Sequence, residues 1–272
     1  MRLLLLLILT AMPLFPLEAA DKIKLDGIKG EDDRILIETY KYPWSAIGRI
    51  NKESGGFCTG TLIGPKLVLT AAHCLWNKKR KVWVKAHTIH FLAGYRRGSF
   101  IDHAKAVNYH IAPGYSPTTA KTYSSVSKDW AFLELDKDMS QRVGTLAVAP
   151  INKNIYTTLK AQKTNFIQAG YSQDKAHILS VNQQCELTSY NTLLRLATHV
   201  CDAVPGDSGS PIFYKDQIEG LKIGFIHVAT AKKQKAQGIA VSGAAIVAHL
   251  KTLGFWEQAA KAHPPTQPDV SQ

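Results

Sequence analysis

The sequence predicts an all-β protein, a barrel or sandwich built from short strands. Three observations carry that expectation. Apolar runs are short and rich in Val, Ile, Leu and aromatic residues: 57–63, 66–70, 81–85, 130–135 and 221–228. Gly, Pro, Asn and Ser recur between them, which is how strands joined by turns read. A helical period appears only over 243–262, where Ala245, Val247, Ala248, Leu250, Leu253 and Phe255 form an apolar face opposite Lys251 and Glu257. There is no internal repeat, and biased composition is confined to the Pro-containing tail, 263–272.

The first segment stands outside the domain. Met1-Arg2 is a short basic start, Leu3 to Leu14 is apolar apart from Thr10 and Pro13, and small residues follow at Ala19 and Ala20. That is the three-part pattern of a secretory signal peptide over 1–20. The run is shorter than the roughly 20 residues a spanning helix needs, and Pro13 and Pro16 interrupt its end. The expected location is therefore secreted or periplasmic. About 250 residues remain, enough for one large core or two small ones.

The chain carries 33 Lys and Arg against 21 Asp and Glu, a formal charge of +12. Removing 1–20 leaves this unchanged, because Arg2 and Glu18 cancel. Such a protein is drawn weakly to anionic surfaces, with Lys78-Lys79-Arg80-Lys81 and Arg96-Arg97 as the local contributors. No nucleic-acid motif accompanies the charge, so no specific nucleic-acid partner is expected, and solvated loops account for these runs. Four cysteines, Cys58, Cys74, Cys185 and Cys201, are an even set entering an oxidising compartment, so disulfides are expected. Counting alone permits three connectivities. No C-x₂-C or H-x₃-H spacing supports zinc, and no metal is expected.

Acyl transfer at neutral pH needs an activated nucleophile, a base for its proton and donors for the developing oxyanion. In Pro205-Gly206-Asp207-Ser208-Gly209-Ser210-Pro211, glycines flank Ser208 and allow a tight turn whose inner amides, those of Gly206 and Ser208, converge on a carbonyl oxygen. Such a turn is common and usually structural. His73 changes the weighting: it follows the strand-like run ending at Thr70 and adjoins Cys74, which can pin it. Asp129 opens a third run, Trp130-Ala131-Phe132-Leu133, which sets its carboxylate near a buried end. Asp136 and Asp138 read as ordinary turn acids.

Together, Thr70-Ala71-Ala72-His73-Cys74, Asp129-Trp130-Ala131-Phe132 and Gly206-Asp207-Ser208-Gly209-Ser210-Pro211 resemble the three signature blocks of the chymotrypsin-like serine peptidases, in that family's chain order. The resemblance covers roughly 28–255. It implies two six-stranded antiparallel Greek-key barrels, at about 28–142 and 143–241, with the site between them and a C-terminal helix at 243–262. It implies a serine endopeptidase with Ser208 as nucleophile, His73 as base and Asp129 orienting the histidine, with no cofactor. A monomer acting on protein or peptide substrates is expected. Gly56-Phe57-Cys58-Thr59-Gly60-Thr61-Leu62-Ile63 also matches, which implies a Cys58–Cys74 bridge; Cys185–Cys201 follows by elimination. An α/β-hydrolase is excluded, since position 210 is serine and the histidine precedes the nucleophile.

Some positions depart from the common pattern. Gly30-Glu31-Asp32-Asp33-Arg34 and Tyr42-Pro43-Trp44-Ser45 resemble the glutamyl-endopeptidase branch of bacterial enzymes. Asp202, six residues before Ser208, matches the pocket aspartate that favours Arg or Lys substrates. His227, in Ile226-His227-Val228, matches a substrate-reading histidine that favours acidic ones. A third option has Asp202 capping its loop and His227 packing at the cleft edge. Ile28-Lys29-Gly30-Glu31 resembles the mature start of trypsin-like enzymes, which implies a propeptide at 21–27 and an Ile28 amine pairing with Asp207. Two other classes compete with catalysis: an inactive binding protein on the same fold and a cationic envelope-binding protein.

Overall fold

The structure is a computed structural model that describes residues 25–231 and 237–266. The signal-peptide expectation for 1–20 lies outside the described residues. No helix among the described residues is long and apolar enough to cross a membrane.

Six antiparallel strands close into a barrel: β1 (Ile47–Lys52), β2 (Phe57–Gly64), β3 (Leu67–Thr70), β4 (Ile89–Ala93), β5 (Asp102–Ile111) and β6 (Ala131–Leu135). They are hydrogen-bonded in the order β1-β2-β3-β6-β5-β4, and β4 returns to β1. The strand period is visible in β5, where Asp102, Ala104 and Ala106 are buried while Lys105 and Val107 face out. Along β3 every residue is buried, which is why it reads as a continuous apolar run. Ile47, Ile50, Leu62, Leu69, Phe91 and Phe132 fill the barrel and are fully buried. Each such side chain contributes about 1.5–3 kcal/mol.

The second half is a nine-stranded sheet. Its longer strands are β7 (Ile167–Gly170), β8 (Ser180–Asn182), β9 (Leu187–Asn191), β10 (Leu196–His199), β11 (Pro211–Asp216), β12 (Gly220–Ala231) and β13 (Gln237–Ser242). The path runs β8-β7-β11-β12-β13-β10-β9, with Ile35–Leu36 outside β8 and Ala147–Val148 parallel to β12. Here the hydrogen-bonded path stays open, whereas the first ring closes. Residues 35–36, expected with the first barrel, cross to the second: Ile35 pairs with Val181 and Leu36 with Ser180.

The helix expected over 243–262 is two helices, α2 (Gly243–Thr252) and α3 (Trp256–Ala259). Ser242 caps the start by accepting from Ala244 N at 3.2 Å. Gly254, at φ +74°, ends the first helix in the left-handed conformation that glycine adopts freely. An earlier helix, α1 (Lys153–Ala161), has no counterpart among the expectations. Asn152 caps it, accepting from Ile155 N at 3.0 Å, and it buries Tyr156 and Leu159. The tail begins by packing: His263 exchanges backbone hydrogen bonds of 2.7 and 3.1 Å with Thr145.

Candidate active site

A cleft of about 1110 Å³ is lined by His73 and Cys74 from the first half and by Gly206, Ser208 and His227 from the second. His73 enters it because β3 stops at Thr70 and a single helical turn, Ala72–Leu75, follows. The Cys58–Cys74 disulfide ties that turn to β2. Asp129 arrives from the other side. The turn Tyr123–Val126 is capped reciprocally by Thr122 and Ser125, and Asp129 N then donates to Val126 O at 3.0 Å.

Both carboxylate oxygens of Asp129 serve His73. Oδ1 accepts from the His73 backbone N–H at 2.8 Å, and Oδ2 lies 2.7 Å from ring Nδ1. A carboxylate only accepts, so this contact assigns the proton to Nδ1 and leaves Nε2 with a free lone pair. Asp129 is 7% exposed, so its charge acts with little solvent screening. The same charge reaches Tyr115, whose phenol is pushed up first by burial and then by Asp129.

The Ser208 loop is held by residues distant in sequence. Thr59 N donates to Ser208 O at 2.9 Å, and Thr59 Oγ1 donates to Gly206 O at 3.0 Å. Gly206 and Gly209 have φ of +101° and +85°. A Cβ on Gly209 would stand 2.3 Å from Thr59 O and 2.4 Å from Thr70 Oγ1, so a side chain is excluded there. The amides of Asp207, Gly209 and Ser210 are taken by Val204 O, His227 O and Asp207 O. Those of Gly206 and Ser208 have no protein acceptor among the described residues, as donors reserved for an oxyanion require.

Asp207 is buried behind this loop. Ser172 Oγ lies 2.9 and 2.8 Å from its two oxygens, and Val204 N donates to Oδ2 at 2.9 Å. Burial pushes its carboxyl up to about 7, against the lowering effect of those two donors. Ile28, the expected partner, is buried, and its N–H donates to Leu25 O at 3.1 Å. In the uncut chain, where Ile28 has no free amine, its N is therefore not at Asp207.

The two candidate selectors have different surroundings. Asp202 is not among the residues lining the cleft. Its Oδ1 accepts from Lys29 N at 2.6 Å, and Oδ2 has no partner among the described residues. Burial raises its carboxyl, partly offset by that Lys29 contact. Lys29 Nζ donates to Gly27 O at 3.2 Å and to Cys201 O, and burial brings its ammonium down to about 8.

His227 does line the cleft, and behind it stands His199, to which the sequence reading gave no role. His199 Nε2 and His227 Nδ1 are 2.9 Å apart, and His199 Nδ1 is buried without a partner. A buried N–H without an acceptor is costlier and rarer than an acceptor without a donor. His199 therefore carries its proton on Nε2 and donates to His227 Nδ1, which leaves the His227 proton on Nε2. Burial, then Lys29, then His73 lower His227 to about 3, and burial, then His227 and Lys29, hold His199 well below its ordinary value. Both rings are neutral at pH 7. Cys185–Cys201, also a disulfide, lies beside His199. Among the described residues, the two clusters with metal-ligand composition each contain a disulfide, so they offer no thiolates.

A closed six-stranded barrel and a second sheet thus bring a histidine–carboxylate pair and a serine loop to one cleft. Residues 37–251 match the family model described as Trypsin, and the chain belongs to that family. It is 27% identical over 201 residues to a glutamyl endopeptidase of Bacillus licheniformis, covering 73% of this chain and 57% of the relative. It is 28% identical over 195 residues to human serine protease 23, covering 64% and 46%. The chain thus spans only about half the length of these relatives. A solved Glu endopeptidase in complex with MPD superimposes with a TM-score of 0.68 at 21% identity, over 84% of this chain and 99% of that one. Protease Anisep from Arthrobacter nicotinovorans gives 0.58 at 16% identity, over 80% and 97%.

Proposed function

We propose that this protein is an exported serine endopeptidase acting through Ser208, His73 and Asp129. The observation that carries the reading is the double grip of Asp129 on His73, at 2.8 and 2.7 Å, in the cleft that Ser208 lines. His73 Nε2 takes the Ser208 proton as Oγ attacks the substrate carbonyl, and Asp129 stabilises the imidazolium. The amides of Gly206 and Ser208 receive the oxyanion. His73 then protonates the leaving amine, the C–N bond breaks, and Ser208 holds an acyl ester. Water, deprotonated by His73, hydrolyses that ester and restores Ser208. Export rests on the pattern of residues 1–20 and on two disulfides.

The preferred residue before the cut is acidic. A neutral His227 holding its proton on Nε2 is a donor for a carboxylate, and Lys29 adds a positive charge nearby. Among the described residues the cleft is lined by Lys52, Lys78, Lys79, Arg80 and Lys121, with Asp26 as the one acid. The naming of a relative as a glutamyl endopeptidase agrees with this. A second reading, selection of basic residues by Asp202, has its unpartnered Oδ2 in its favour and its absence from the cleft lining against it. Activation is read as independent of an Ile28 amine, because Ser172 and Val204 already satisfy Asp207. N-terminal sequencing of active protein tests that point; an obligatory start at Ile28 contradicts it.

Digestion of a diverse peptide mixture, with Ser208→Ala as control, tests the whole reading. Cuts after Glu or Asp, absent in the variant, are expected. Cuts after Arg or Lys would assign selection to Asp202, and no cuts by either protein would leave a binding module on a peptidase fold.

A further inference from the structure

The two ends of the cleft are distinguishable by chemistry. The acyl half of the substrate stays on Ser208, with the preceding side chain toward Ala203–Gly206 and His227. The leaving amine takes its proton from His73, so the chain after the cut runs past His73 and the adjoining Cys58–Cys74 bridge. Two hairpins flank that exit. The β1–β2 turn brings Lys52 to the cleft, and the hairpin between the short strands Trp76–Asn77 and Val82–Trp83 brings Lys78, Lys79 and Arg80.

We propose that this exit is a substrate subsite for acidic residues C-terminal to the cleaved bond. The proposal rests on the peptidase reading above and adds a selection that the pocket before the cut does not make.

The cations are presented on a built turn. Asn77 Oδ1 accepts from Lys79 N at 3.1 Å and Arg80 N at 3.0 Å, Lys81 adopts φ +54°, and Trp76 packs edge-on to Trp83 at 5.2 Å. Lys52 on the facing hairpin is half-buried, and its ammonium is lowered by burial and then by the charge of Lys78, so both hairpins address one groove. None of Lys52, Lys78, Lys79 and Arg80 makes an ion pair among the described residues, whereas Arg34, Arg96 and Arg97 elsewhere all do. Ser54, Gly55 and Gly56, the turn of the Lys52 hairpin, also line the groove, and a Cβ on Gly55 or Gly56 would meet nothing within 4 Å, which leaves room for a peptide. Unpaired like charges across a groove repel, and a polyanionic segment lying between them removes that repulsion.

The test uses three internally quenched peptides, identical up to the cut, with acidic, neutral amide or lysine residues at the second and third positions after it. Two ion pairs at a solvated site predict kcat/KM about 2- to 30-fold higher for the acidic peptide than for the neutral one at low salt. The ratio shrinks at high ionic strength. It falls toward one in Lys78→Gln/Lys79→Gln/Arg80→Gln, and the charge-reversed triple glutamate variant prefers the lysine peptide. Lys52→Gln, on the other hairpin, lowers the ratio independently, so misfolding of one hairpin cannot produce the whole pattern. If the wild-type protein cuts all three peptides equally, the subsite is overturned and the peptidase reading stands. If no peptide is cut, the peptidase reading falls and takes this proposal with it.

Discussion

The hydroxyl of Ser172 lies 2.9 and 2.8 Å from the two carboxylate oxygens of Asp207, the residue before the proposed nucleophile. Burial holds that carboxyl at about 7 in the folded protein, well above the ordinary value of about 4 in an unfolded chain. The folded state therefore binds the proton more tightly. The resulting stabilisation is complete below about pH 4 and is lost as pH rises through about 7. Asp207→Asn abolishes that titration. Compared with wild type, the variant should gain stability from pH 4 to 8 by at most about 4 kcal/mol, then level off. Urea midpoints across that range check it, and a difference independent of pH contradicts it.

Ser172→Ala leaves Asp207 with only the Val204 amide. Loss of a buried hydrogen bond of this kind costs about 1–3 kcal/mol. Because Asp207 adjoins the loop bearing the Gly206 and Ser208 amides, kcat should fall more than KM changes. Active-site titration separates this from a purely structural loss: kcat per titrated site should fall, whereas a merely smaller active fraction would leave kcat per titrated site at the wild-type value.

His227→Ala should lower the preference for Glu over Gln before the cut by about 10- to 100-fold, the worth of one hydrogen bond to a charged group. His199→Leu should give a smaller loss, since it only releases the proton of His227 from its assigned nitrogen. Matched Glu and Gln peptides measure both effects. An unchanged ratio in His227→Ala removes His227 from selection.

The sequence exposes the proposed triad because each member sits in a contiguous block: His73 beside a cysteine, Asp129 opening a strand, Ser208 between glycines. His199 lies in no block. It is a strand residue 28 positions from His227, and only the pairing of β10 with β13 and of β13 with β12 brings the two rings to 2.9 Å. Counting back from Ser208 finds Asp202 along the chain but not the Lys29 amide that occupies its Oδ1. The first barrel is legible from its alternating and continuous apolar runs. Ile35–Leu36 and Ala147–Val148 are too short for any period to register. Gly254 was present inside the expected helix and marks its break.

The Cys58–Cys74 bridge closes a loop spanning 16 residues that includes His73. Replacing both cysteines by alanine should cost about 3 kcal/mol in the chain-entropy account. It should also lower kcat, because the turn carrying His73 loses its tie to β2. Thermal melts and kinetics on the double variant check both, and an intact kcat would show that Asp129 alone orients the ring.

Covalent labelling with an aryl organophosphonate, with the modified residue located by mass spectrometry, addresses the triad most directly. The expected result is one adduct per molecule, on Ser208, absent in Ser208→Ala and formed about 10⁴-fold more slowly in Asp129→Asn. Folded wild-type protein that takes no label, or takes it at another residue, contradicts the assignment of Ser208, His73 and Asp129.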